Sequence, residues 1–246
     1  MSSKWLRCVY EKHSAELRLI CFPWAGGGAA FYAKWGKKFA SEIEVHGVCL
    51  PGRESRFLEP FNVNNWKSLL KDFCDDVHGI LKEKPFAFWG HSLGARLCFE
   101  AARYLKLHYD IQPVHMIISS ATAPQIPRTV LNVSTLSDDD LIQKIRNWGG
   151  TPKALMANKG MMKIAVRVLR ADLTLLQNYR FEANDNAIID CSLTCFDGSE
   201  DLHEQDGWTE LIQGPFKRHI LPGGHFYFME GDNESSLPNL VSAALR

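Results

Sequence analysis

The chain lacks an excess of charge: 28 Lys and Arg stand against 28 Asp and Glu in 246 residues. A balanced surface makes no global field for nucleic acid or an anionic membrane. Long apolar runs are missing too. Stretches such as Met116–Ile118 fall far short of the roughly 20 residues that span a bilayer. The opening "MSSKWLRCVYEKHSAELRLI" has no apolar h-region of a secretory signal, so a cytoplasmic location is expected. No CxxC occurs among the seven cysteines, Cys8, Cys21, Cys49, Cys74, Cys98, Cys191 and Cys195. On an extended strand Cys191 and Cys195 would stand about 13 Å apart, too far to bridge. Free thiols in a reducing compartment are expected, most of them small core hydrophobes. There is no HExxH; "LHEQD" has one His and no second, and no metal site is expected. The glycines after Trp24 do not make a dinucleotide fingerprint, because the sixth position from Gly26 is Phe31. They make no P-loop either, for no Gly-Lys-Ser/Thr follows.

What is present is alternation. The apolar 46% of the chain gathers in short runs at Leu17–Phe22, Val45–Leu50, Phe86–Trp89, Val114–Ser119, Leu193–Phe196 and Arg218–Leu221. Between them helical spacing appears near Ala30–Ser41, Asn65–Lys82, Leu93–Leu107 and Ser235–Leu240. Continuous apolar strands separated by amphipathic helices predict an α/β fold with a mostly parallel sheet covered on both faces. In such sheets the chemistry lies just beyond the carboxyl ends of the strands. From about 124 to 183 no strand is read. That stretch predicts several helices, with Ser137 as an N-cap before three acids and "WGGTP" as a break. We read a single domain, 1–246, with a helical lid insertion at about 124–183.

Gly90-His91-Ser92-Leu93-Gly94 is a G-x-S-x-G that closes a strand and opens a helix. In that context the turn is sharp and the serine stands exposed at the sheet end. A hydroxyl needs a base to take its proton, and the base needs an orienting acid. The expected chain order is Ser, acid, His. Of the histidines beyond the insertion, His219 lies inside the last apolar run and His203 sits among acids. His225, in "LPGGHFYF", follows a strand on a glycine-rich loop and is taken as the base. The loop after Ser119 carries no carboxylate, whereas "DGSEDLHEQD" carries five. Asp197 lies too close to the strand end, and Glu204 and Asp206 are assigned to the next helix. Glu200 and Asp201 remain, and we take Asp201. The loop "PWAGGG" then has a purpose: Ala25 N–H and Leu93 N–H are the expected donors of an oxyanion hole.

"CFPWAGGG", "LPGRESR", "FWGHSLGA", "GGTP", "LRADL", "GSED" and "LPGGHFYF", in this order over about residues 15–240, resemble the type II thioesterases, and among them the animal, medium-chain fatty acid synthase branch. The resemblance implies an α/β-hydrolase fold with a helical lid. It implies hydrolysis of fatty-acyl or polyketide thioesters on the 4'-phosphopantetheine of an acyl carrier protein, with no metal or dissociable cofactor. Its triad falls on Ser92, Asp201 and His225, and its oxyanion donors on Ala25 and Leu93. Bacterial relatives usually carry His at the position of Trp24, whose local role stays open. The arginines of "PGRESR", Arg53 first, either meet the substrate arm or form a solvated charged turn. Met156 and Met162, with Met161, Leu169, Leu173 and Leu176, either line an acyl groove or pack the lid. A monomer is expected. The rival readings are a carboxylesterase or lipase, an acyltransferase, and a noncatalytic carrier-binding module.

Overall fold

The computed structural model describes residues 3–127, 129, 131–183 and 188–246. Residues 128 and 130 of the expected lid span and the first two residues of the chain lie outside them. The strands are β1 (Leu6–Arg7), β2 (Leu17–Phe22), β3 (Ile43–Val48), β4 (Phe86–His91), β5 (His115–Ser119), β6 (Ile189–Asp190), β7 (Ser192–Gly198), β8 (Ile212–Gln213) and β9 (Phe216–Leu221). Seven form one sheet in the order β1-β3-β2-β4-β5-β7-β9, and β6 pairs with β8 apart. Only β1 runs antiparallel to its neighbour in the large sheet.

The helices are α1 (Ala29–Trp35), α2 (Trp66–Lys82), α3 (Leu93–Tyr109), α4 (Asp138–Trp148), α5 (Lys153–Ala157), α6 (Lys159–Asn178) and α7 (Asn233–Ala244). Period-two alternation divides the central strands β2, β3, β4, β5 and β7 between two cores. Ile20, Phe22, Phe86 and Phe88 pack with Leu70, Phe73 and Val77 of α2 and with Leu97 and Phe99 of α3. Leu19, Cys21, Ala87 and Trp89 face the other way, onto Tyr32 and Trp35 of α1 and Leu237 and Val241 of α7. Each buried Leu or Phe contributes about 1.5–3 kcal/mol, so the sheet needs both helical layers. All seven cysteines are free and six are buried.

The third strand sits two residues earlier than the apolar run suggests, and just past its end Cys49 N–H still donates to Trp5 O at 2.8 Å, in register with β1. The first helix stops at Trp35 and tightens into a short 3₁₀ turn, Gly36–Lys38. Between β5 and β7, α4–α6 form a separate layer with its own core of Val133, Leu141, Ile145, Met162, Val166, Leu169 and Leu173. Ser137 caps α4 in a reciprocal box with Asp140, and the chain breaks at Gly149–Gly150 before α5. Among the described residues, no helix is long and apolar enough to cross a membrane.

Candidate active site

Ser92 joins β4 to α3 at φ +56° and ψ −113°. Such a backbone is strained for a residue with a Cβ and persists only where its surroundings enforce it. Two contacts do so. Ser92 N–H donates to Ser119 O at 2.9 Å. Two residues on, a Cβ at Gly94 would lie 2.2 Å from Phe22 O, so only glycine lets α3 press against the end of β2. Leu93 is the first residue of α3, and its N–H has no acceptor within the helix.

Asp201 and His225 come from the loops after β7 and β9. These loops are stitched together by Ser199 N–H to Leu221 O at 2.8 Å and Glu200 N–H to Gly223 O at 3.0 Å. A Cβ at Gly198 would sit 2.3 Å from Gly224 O, so the approach requires glycine there. The result is a 2.5 Å hydrogen bond from His225 Nδ1 to Asp201 Oδ2. That bond, against the opposing effect of burial, holds the Asp201 carboxyl below its ordinary pKa. Glu200, the other candidate acid, is exposed.

His91 unites the pieces. Its ring lies 4.8 Å from that of His225, with the serine next to it in sequence. It is fully buried, bonded through Nδ1 to Ser119 Oγ at 2.8 Å, and Ser119 Oγ meets Tyr227 OH at 2.7 Å. Burial first, then the nearby His225 and His203, depress its pKa far below the imidazole range, so it stays neutral. Trp24 also packs on His91, and on Phe31, Tyr32, Phe226 and Phe228. It is a member of this aromatic cluster, and it borders a small cavity of about 50 Å³ with Ile145, Trp148 and Leu169.

The glycine loop is held by carboxylates of the chain itself. Ala29 and Ala30 N–H, at the start of α1, donate to Glu54 at 3.0 and 2.9 Å. The anion at this helix end is thus a side chain. Gly26 N–H donates to Asp172 Oδ2 at 2.7 Å. Among the described residues no acceptor takes Ala25 N–H.

Arg53 is not part of a solvated turn. Its guanidinium is buried, donating to Gly27 O at 2.9 Å and to both oxygens of Asp172 at 2.7 and 2.5 Å. It ties the glycine loop to α6, its two terminal nitrogens are taken by the chain itself, and it borders the cleft beside Gly26. Met156 and Met162 are corrected as well. Met162 joins the core of the inserted layer, and Met156, half-buried, packs against it. Leu155 and Met161, each one residue earlier, line an apolar cleft of about 240 Å³ with Gly26, Phe57, Ile164 and Val168. One residue turns a helix by about 100°, which moves a side chain from one face to another.

Asp172 and Glu54 carry functional geometry that residue-by-residue reading passed over. The signal for Asp172 was present: a carboxylate among Val168, Leu169, Ala171 and Leu173, on the apolar side of α6. His203 was set aside, yet it is bonded to the buried Asp197 and lies 3.8 Å from Asp201. Among the described residues, two clusters have metal-ligating donors close together, Asp201–His203–His225 and Cys8–Glu44–His46.

This arrangement has known counterparts. The model of the thioesterase domain family matches residues 17–245. The medium-chain S-acyl fatty acid synthase thioesterase of Rattus norvegicus is 36% identical over 99% of this chain and 94% of its own length. The gramicidin S biosynthesis protein GrsT of Aneurinibacillus migulanus is 34% identical over 94% of this chain and 91% of its own. The structure of RedJ, the thioesterase of the prodiginine pathway in Streptomyces coelicolor, superposes with a TM-score of 0.85 at 29% identity, covering 95% of this chain and 92% of that one. The chain belongs to the thioesterase family, as an α/β-hydrolase-type thioester hydrolase.

Proposed function

We propose that Ser92 is the nucleophile, His225 its base and Asp201 the orienting acid. The amides of Ala25 and Leu93 form the oxyanion hole, and the substrate is a fatty-acyl or polyketide chain on the phosphopantetheine of an acyl carrier protein. One observation carries the reading. A His–Asp pair bonded at 2.5 Å packs its imidazole on the residue preceding a strained serine, at the carboxyl end of the sheet.

In the first half of the cycle His225 Nε2 takes the Ser92 proton as Oγ attacks the thioester carbonyl. Asp201 holds the ring by Nδ1 and steadies the imidazolium. Each oxyanion donor is worth on the order of 3 kcal/mol in the transition state. The tetrahedral adduct collapses and expels the pantetheine thiol, whose pKa near 8.5 makes it a good leaving group. In the second half His225 deprotonates water, which attacks the acyl-serine and releases the free acid. The chain's own groups supply every step, so no metal or cofactor is needed. The cleft beside Gly26 receives the acyl chain and α4–α6 act as its lid. The protein works as a cytoplasmic monomer on the carrier domain of a fatty acid or polyketide synthase. The name of the rat relative, an S-acyl fatty acid synthase thioesterase, supports an acyl-thioester substrate supplied by a synthase.

The test is mass spectrometry of acyl carrier proteins bearing graded chains, before and after incubation, with Ser92→Ala as control. Free acid should appear with the wild type only, while carrier binding by Ser92→Ala stays nearly unchanged. Faster cleavage of oxyesters than of acyl carriers would favour an esterase. Transfer to an added alcohol without free acid would favour an acyltransferase. Failure of a fluorophosphonate to label Ser92 would leave a noncatalytic carrier-binding module.

A further inference from the structure

His203 has no step in the proposed cycle, yet it is held as firmly as the base. Asp197, with no exposed surface, accepts its Nδ1–H at 2.9 Å and its backbone N–H at 2.9 Å. That bond fixes the ring and leaves Nε2 facing Asp201 Oδ2 at 3.8 Å. The separation is beyond hydrogen-bond reach. The same oxygen of Asp201 takes the Nδ1–H of His225. One donor atom from each of Asp201, His203 and His225 therefore lies within 4.8 Å of the others. Their side chains are 20–34% exposed, open enough for an ion to enter.

Two imidazoles and a carboxylate are a donor set that zinc prefers, at about 2.0–2.2 Å from each ligand. A ligating His whose other N–H is given to a carboxylate is the usual supporting arrangement, and Asp197 provides it in advance. Magnesium and calcium, which favour all-oxygen sites, fit poorly. The second cluster is less suited. Glu44 is already engaged by Lys12 N–H at 2.8 Å and His46 at 2.7 Å, with Arg18 at 3.7 Å. Burial, then the charge of Glu44, pushes the Cys8 thiol up to about 11.

We propose that Asp201, His203 and His225 form an inhibitory site for a borderline transition-metal ion, zinc(II) foremost. Binding takes the neutral ring as its other tautomer: the proton leaves Nδ1 and Nε2 takes one up through solvent, so the bond between Asp201 and His225 gives way to two metal bonds. With Nε2 protonated and Nδ1 on the metal, the ring has no lone pair left to take the Ser92 proton. The inhibition rests on the reading of Asp201 and His225 as the catalytic pair; the coordination does not.

The experiment uses the full chain, stripped with EDTA and desalted. Calorimetric titration with zinc sulfate, and with magnesium chloride as control, is run beside hydrolysis of an acyl carrier protein. One zinc should bind per chain, abolish turnover and be reversed by EDTA, while magnesium does neither. His203→Gln should weaken zinc binding and inhibition at least about tenfold, each relative to its own metal-free protein. Cys8→Ser should change neither. Cobalt(II) should give a visible tetrahedral band without thiolate charge transfer and broaden the imidazole resonances of His203 and His225. The cobalt readout decides the site in the wild type even if His203→Gln does not fold. No saturable zinc binding, equal affinity in folded His203→Gln, or zinc bound at this site without inhibition would overturn the proposal. A metal-free protein with no turnover at all would instead count against the hydrolase reading, with calorimetry and cobalt still judging the site.

Discussion

Arg53 and Asp172, 119 positions apart in sequence, meet in a buried two-point ion pair that fastens the helical insertion to the glycine loop. The same carboxylate takes Gly26 N–H, and the same guanidinium takes Gly27 O. The backbone on which Ala25 N–H depends is therefore shaped from α6.

Removing one partner strands the other in a dry site. Asp172→Ala should cost about 3–5 kcal/mol of stability in urea unfolding and lower kcat strongly. The double change Asp172→Leu with Arg53→Met should recover much of the stability, since apolar replacement of a buried pair is often neutral. It should not recover kcat, because Gly26 N–H still lacks its acceptor. Recovery of both would show that the pair serves stability alone.

Gly94→Ala puts a methyl 2.2 Å from the carbonyl of Phe22. The obstacle is backbone, so α3 must move away from β2 and carry Leu93 N–H with it. A loss of about 3 kcal/mol or more is expected, with fluorophosphonate labelling of Ser92 slowed. Urea unfolding and labelling kinetics check both.

Adjacent methionines on α6 should behave oppositely. Met162 is buried among Leu141, Val166 and Leu169, so Met162→Ala should cost about 2–5 kcal/mol. Met161 is 48% exposed and lines the cleft. Met161→Ala should leave stability within about 0.5 kcal/mol and shift chain-length preference, read from kcat/KM across a graded acyl series.

Acid should weaken the fold before its carboxylates titrate. His115 is buried against Thr194, and burial, then Lys217, lowers its pKa to about 4. Burial keeps His91 neutral too. The unfolded chain binds these protons first, so stability is present above the ordinary imidazole value and is lost as pH falls from about 6.5 toward the folded value. For His115 the loss is on the order of 3 kcal/mol. Urea unfolding across that window should show the slope, and His115→Gln should flatten it. An unchanged slope in the variant would contradict the assignment.

The legible parts of the site were those encoded within one short stretch. "GHSLG" announces its own strand–turn–helix, since the glycine spacing has meaning only where a helix passes a strand closely. Asp201 and His225 were placed by order and by position after strands, and the structure joins them. Less legible were roles that depend on which face a residue turns. Met162 and Met161 differ by one step of a helix, and "PGRESR" reads equally as a solvated turn.

By itself the sequence determined the alternating layers, the inserted helices and the serine elbow, because hydrophobic period and glycine placement act over a few residues. Tertiary structure decided that Asp172 holds the glycine loop, that Glu54 occupies the start of α1, that Arg53 is sealed inside and that His203 stands beside Asp201. Those are pairings between distant segments. Local spacing carries no information about which charged groups will be desolvated together, and burial is what turns a charge from a solvated face into a fixed contact.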